Sequence, residues 1–249
     1  MNVATYRERK KKLLSERKYG RELCYRCLQP ENTCYFRHIQ SFASEFKFVI
    51  LIHRLEVRRR IATGRLSHLC LQDSHLLMGY DYSANVTLNA LLEDPQFAPM
   101  VLYPGRKAQN LSPMSVSARR AIFPSGKKPL IVVIDGTWGT AKKMLRRSRN
   151  LRDLPQICFT PDKPSNFRVR QQPRPECLST VEAIHSLLEF FSPPNRAHDN
   201  LLYVFDKMVD QQVEFMKLSR SRHRKAAEQR YRARDPQFQD ILELSRILE

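Results

Sequence analysis

The run Leu130-Ile131-Val132-Val133-Ile134-Asp135-Gly136-Thr137-Trp138 passes from apolar residues into an acid, a glycine turn and the chain's only tryptophan, just ahead of a basic stretch that starts at Lys142. A short apolar run without polar alternation suits a strand buried on both faces. When such a strand stops at a polar turn and gives way to a helix, its polar groups stand at the carboxyl edge of a sheet, where open α/β folds bind ligands.

Apolar runs and turn signals alternate on both sides of this point. Toward the N-terminus, Phe46 to Ile52 reads as a strand that meets His53, Val57 to Ile61 as a helix ending at Thr63-Gly64, Leu66 to Leu71 as a second short strand, and Val86 to Leu92 as a weaker helix. Pro99 to Leu102 is a further strand, stopped at Tyr103-Pro104-Gly105, because proline ends ladder pairing and glycine tolerates positive φ. Residues 107 to 128 read as a long covering loop.

Toward the C-terminus a helix is expected from about Thr140 and a strand over Gln156 to Phe159. Residues 160 to 177 hold Pro161, Pro164, Pro173 and Pro175 among arginines and cannot be helical. Ser179-Thr180-Val181-Glu182 matches a capping box, with Val181, Ile184, Leu187, Leu188 and Phe191 as one apolar stripe behind it. A final long helix runs from about Asn200, with a break near Asp235-Pro236. The alternation predicts an α/β fold, a mostly parallel sheet covered by helices on both faces. Its expected parts are a basic N-terminal helix and Cys-containing segment over 1–44, a catalytic domain over 45–215 and a basic helical tail over 216–249. Neither a G-x-G-x-x-G after a strand nor a G-x-x-x-x-G-K-[ST] occurs, which argues against phosphate cradling.

With 249 residues, 42% of them hydrophobic, the chain can bury a sizeable core, and its net charge of +18 points to an anionic partner. The charge is blocked. Residues 1 to 21 carry eight Lys or Arg against two Glu, residues 142 to 152 carry six and no acid, and residues 217 to 234 carry eight against Glu228 alone. Solvated helix faces usually mix signs, so nucleic acid is the favoured partner. The N-terminus is too charged for a secretory signal, and Phe46 to Ile52 is far shorter than the roughly 20 residues of a membrane span, so a cytoplasmic protein is expected. Six cysteines do not make a disulfide scaffold in a chain of this size.

Cys24-x-x-Cys27 with Cys34, His53-x-x-Glu56 followed by Thr63-Gly64-Arg65-Leu66, Leu102-Tyr103-Pro104, Asp135-Gly136-Thr137-Trp138 and Leu178-Ser179-Thr180-x-Glu182-Ala183 together resemble the DTW-domain family, from about Cys24 to Gln212. The resemblance implies a SPOUT-like fold with a C-terminal trefoil knot. It also implies a tRNA-uridine aminocarboxypropyltransferase, which moves the 3-amino-3-carboxypropyl group of S-adenosylmethionine to N3 of a tRNA uridine and releases methylthioadenosine. A methyltransferase of the same fold and a non-catalytic RNA-binding protein are the alternatives, and a monomer and a homodimer are equally compatible with the chain.

Within that resemblance, Asp135 is the candidate to orient or deprotonate uridine N3, with Thr137 and Trp138 beside it. The plain alternatives are a helix N-cap for Asp135 and a core position for Trp138. Leu102, Tyr103, Pro104, Gly136, Leu178, Ser179, Thr180 and Glu182 are assigned to the S-adenosylmethionine pocket, although the capping box alone accounts for Ser179 and Glu182. His53, Arg65, Lys142, Lys143, Arg168, Arg170 and Arg174 are the RNA or substrate contacts, against simple solvent exposure. Cys24, Cys27 and Cys34 offer three ligands for a structural zinc, but Phe36 stands where the family has its fourth cysteine. Either His38 completes the site or the segment is a reduced, metal-free turn. Arg54 follows His53 where the family commonly has proline.

Overall fold

The computed structural model describes residues 23–170, 172–174, 176–191 and 196–232, together with Thr5 and Glu8, and side chains as far as Leu218. The basic N-terminal block, Pro175 and the expected break at Asp235-Pro236 lie outside the described residues, Thr5 and Glu8 apart. The chain divides into two compact units, Met1–Met208 and Val209–Glu249.

The first unit is built on six strands: β1 (Lys47–His53), β2 (Ser74–Gly79), β3 (Phe97–Leu102), β4 (Gln109–Asn110), β5 (Lys128–Asp135) and β6 (Gln156–Cys158). All pair in parallel, in the order β2-β1-β5-β3-β6-β4. Helices α1 (Thr63–Cys70), α2 (Val86–Glu93), α3 (Val116–Ala121), α4 (Trp138–Arg147), α5 (Arg149–Arg152), α6 (Thr180–Glu189) and α7 (Asn200–Arg232) complete it, with α7 continuing into the second unit.

Strand parity decides which way the site residues point. Val49, Leu51, Val101, Leu130 and Val132 share one face of the central strands and join Leu88, Met144 and Leu151 in a single core. The alternate residues Phe48, Ile50, Ile131 and Val133 are buried on the other face, where α1 packs on β1 and α6 on β5. Asp135 follows Ile131 and Val133 by twos, so it faces α1 and α6. At the amino end of the sheet, Asp73 pairs with Lys47 of β1 and, at 2.7 Å, with Lys128 of β5.

The α/β reading and the buried strand 130–134 hold in the structure, while several local expectations do not. Leu66 to Cys70 is helical, because Leu66 and Cys70 lie four apart on one buried face of α1, and Leu71 alone is extended, as the C-cap. Val57 to Ile61 forms turns instead of a helix, since the Arg65 guanidinium takes the carbonyls of Val57 and Arg59 that a helix would use. Strand β2 opens on Ser74-His75, which hid it, and the loop expected over 107–128 contains β4 and α3. Helix α4 starts at Trp138 with Thr137 as its N-cap, accepting from the Thr140 amide at 3.2 Å. Asp135 is therefore not the cap.

Between β6 and α6, residues 160–177 contain no helix among those described, and one buried carboxylate holds them. Glu182 accepts from Ser165 Oγ at 2.6 Å, the Asn166 amide at 2.7 Å, and the Ser179 amide and hydroxyl at 2.8 and 2.6 Å. The capping box is thus also the clasp of the proline-rich loop. Glu182→Ala leaves those donors without an acceptor and should cost about 3 kcal/mol or more in urea denaturation, with Glu182→Gln in between. A loss below about 1 kcal/mol for the alanine variant would show that the clasp is dispensable.

Candidate active site

Asp135 ends β5 with 4% of its surface exposed. Its Oδ1 accepts from the Thr180 hydroxyl of α6 at 2.6 Å, and among the described residues no donor meets its buried Oδ2 with hydrogen-bond geometry. Gly64, in the first turn of α1, leaves the room: a β-carbon there would stand 2.6 Å from Oδ2. Burial pushes the carboxyl up to about 6, with Glu56 adding to the rise while the Thr180 hydroxyl, Arg170 and the Gly64 amide oppose it. Such a carboxyl changes charge near neutral pH and keeps one oxygen unengaged, as a proton acceptor requires.

This carboxylate borders a cleft of about 980 Å³ at the carboxyl ends of β3, β5 and β6. The structure brings Leu102, Tyr103 and Pro104 from β3, Asp135 to Trp138 from β5, and Leu178, Ser179 and Thr180 from the start of α6 to its walls. Trp138 is 37% exposed, so it is no core filler, and its ring lies 6.4 Å from that of Tyr103, tilted by 47°. Arg170 and Arg174 line the cleft from the proline-rich loop, and Arg168 lies exposed on the same loop. Arg170 also reaches Glu56, itself 3% exposed, with contacts of 3.3 and 3.4 Å.

Four expected site residues lie elsewhere. Arg65 is 1% exposed and donates to the carbonyls of Cys27, Val57 and Arg59, so it locks the cysteine segment to the core and is closed to a phosphate. His53 is buried edge-on to Tyr80, and burial, aided by Arg54, holds its imidazole below the ordinary value against Glu56. Glu182 sits behind the wall as the loop clasp. His38 stands edge-on to Tyr203 at 6.2 Å, turned that way by the 3-10 helix Tyr35–His38, and is not among the clustered ligands. Sequence reasoning missed the place of Gly64, read as the end of a helix over Val57 to Ile61 but found in the first turn of α1, and the burial of Glu56.

The DTW domain model matches residues 21–213. The chain belongs to the DTW-domain family. Relatives named tRNA-uridine aminocarboxypropyltransferase 2 are similar to it: the Macaca fascicularis protein is 25% identical over 77% of this chain, the Mus musculus protein 26% over 77%, and the Drosophila melanogaster protein 29% over 65%. In each case the match covers 63% of the relative's length. No solved structure matches the chain.

In this DTW domain the Sγ atoms of Cys24, Cys27 and Cys34 lie within 4.8 Å of one another, with Cys27 and Cys34 3.6 Å apart. Burial pushes the Cys27 thiol up to about 12. Burial acts the same way on Cys24 but is outweighed there by hydrogen bonds from the Cys27 and Arg26 amides and the neighbouring thiols, which hold it below the ordinary value. Three converging thiols fit a tetrahedral ion that takes its fourth ligand from outside this cluster.

Because the folded Asp135 carboxyl keeps its proton up to about 6, against an ordinary 3.8, folding takes up a proton between those values and stability falls as pH rises through them. Above that window the charge costs the fold up to about 3 kcal/mol. Asp135→Asn should therefore be more stable than the parent at about pH 7.5, and the gain should vanish near pH 4. An unchanged or lower stability at neutral pH in urea denaturation would refute the dry-carboxylate description.

Proposed function

We propose that this DTW domain is a tRNA-uridine aminocarboxypropyltransferase that uses S-adenosylmethionine as donor substrate. The observation that carries the reading is Asp135: a desolvated carboxyl with one unengaged oxygen, in a nucleoside-sized cleft between aromatic and arginine side chains. In the reaction the N3 lone pair of uridine forms a bond to the donor's γ carbon, the bond from that carbon to sulfur breaks, and neutral methylthioadenosine leaves with the electron pair.

The protein's share is orientation and one proton. The imide N3 is a weak nucleophile while it holds its hydrogen, and the Asp135 carboxylate accepts that proton as the new bond forms. Trp138 and Tyr103 offer faces on which a base can stack. Arg174, exposed and in contact with Glu176 at 3.8 Å, is available for the donor's carboxylate. Arg170 stays with Glu56 and holds the loop. The same three cysteines are proposed as a structural zinc site. On the surface, Lys142, Lys143, Arg146, Arg147, Arg149 and Arg152 are exposed along α4 and α5, directly after Trp138, and suit an RNA backbone.

Asp135→Ala should lose about 10²- to 10⁴-fold in transfer while tRNA affinity stays within about twofold. For the parent, transfer should rise with pH through about 6, where Asp135 ionises, and level off above it. Labelled donor, nucleoside mass spectrometry and identification of the released thioether read both. Full turnover by the variant would remove Asp135 from the mechanism, and S-adenosylhomocysteine as product would make the enzyme a methyltransferase.

Lys142→Ala with Lys143→Ala should weaken binding about equally for different tRNAs and reduce the slope of log affinity against log salt by about 1 to 2. An unaltered slope would place the RNA on another face.

A further inference from the structure

We infer that His185, Glu189, His198 and Asp199 form a second metal site, for a zinc-class divalent ion, separate from the cysteine cluster and from the cleft. His185 and Glu189 lie four apart on one face of α6, and His198 and Asp199 belong to the 3-10 turn Ala197–Asp199 that leads into α7. One ligand atom from each of the four residues lies within 4.8 Å of all the others. His185 Nε2 is 3.0 Å and His198 Nε2 3.9 Å from Asp199 Oδ1, and His198 Nε2 also meets Glu189 Oε1. A tetrahedron with bonds of about 2.0–2.1 Å has edges of about 3.3 Å, which these separations bracket.

Both acids pair with the exposed Arg196 at the surface, and the two buried imidazoles behind them are what such a surface network does not need. The imidazoles are 10% and 5% exposed and turn their Nε2 atoms toward the acids, while the carboxylates, 40% and 44% exposed, leave a path from solvent. To act as ion pairs both imidazoles must be protonated, with ring centroids only 5.0 Å apart in an interior that screens poorly. A single divalent ion supplies the same charge to both acids and takes both nitrogen lone pairs without that repulsion. Arg196 donates to both oxygens of Asp199, to Oδ2 at 2.6 Å and to Oδ1 at 3.2 Å, and its guanidinium lies 3.7 Å from Glu189 Oε1, so it orients both acids and must move off Asp199 Oδ1 when the ion binds. Two imidazoles with two carboxylates suit zinc and its first-row neighbours. The ion ties the end of α6 to the start of α7, and α6 is the helix whose first residue, Thr180, holds Asp135.

The test is zinc titration of the metal-stripped full chain under reducing conditions, followed by elemental analysis after dialysis. The parent should retain one zinc per chain more than His185→Gln. Glu189→Gln is isosteric at a side chain 40% exposed, so that variant should keep the parent's circular dichroism and bind the same ion ~10-fold or more weakly. The cysteines are intact in all three proteins, so their contribution cancels. Equal zinc content and equal affinity across the three would overturn the site and leave a hydrogen-bonded network.

Discussion

The 2.6 Å hydrogen bond from Thr180 to Asp135 joins the central strand to the helix that follows the proline-rich loop. Everything at the carboxyl edge of the sheet is arranged around it. Strand parity turns Asp135 toward α1 and α6, and both helices must approach closely enough to exclude water. On the α1 side that approach is possible only because Gly64 has no side chain. The result is a carboxyl with one oxygen satisfied and one unengaged, a costly state that a fold keeps only where something else requires it.

Three carboxylates at this edge are separated in role by their surroundings. Glu182 has all its neighbours supplied by the chain and spends both oxygens on the loop clasp. Glu56 is buried against Arg170 and Arg59, which makes it an anchor for the loop's far end. Of the three, Asp135 keeps one buried oxygen with no hydrogen-bond donor among the described residues. A buried ion pair such as Glu56–Arg170 is weak evidence of added stability, because desolvation offsets its attraction, but it fixes where Arg170 sits and leaves Arg174 facing outward. The two anchors together hold a segment that no hydrogen-bond ladder can hold, since its prolines lack donors.

Much of this was legible in the sequence because it followed strong local rules. The apolar run 130–134, the capping box at Ser179 and the stripe from Val181 to Phe191 each needed only periodicity and side-chain chemistry. What was not legible depended on distant partners. Arg65 reads as a phosphate ligand until the carbonyls of Cys27, Val57 and Arg59 are seen to surround it, and Leu66 to Cys70 reads equally well as a short strand or a helix turn until a packing face decides. Asp135 reads as readily as a cap as it does as a site acid, because acids before helices usually are caps; Thr137, two residues later, takes that position and leaves the acid at the edge of the cleft.

Asp135 also separates local from long-range electrostatics. A chain of net charge +18 would be expected to favour ionised acids, yet this carboxyl is pushed up to about 6. The basic side chains of α4 and α5 lie in solvent, where charges more than about 8 Å away are screened at physiological salt. Arg170, the cation that does act on Asp135, is largely neutralised by Glu56. Desolvation acts on the atom itself and is not screened, so it wins. The two electrostatic tasks are thereby decoupled: the surface can carry enough positive charge to hold a polyanion, while the buried acid bordering the cleft keeps the proton affinity that its own burial sets.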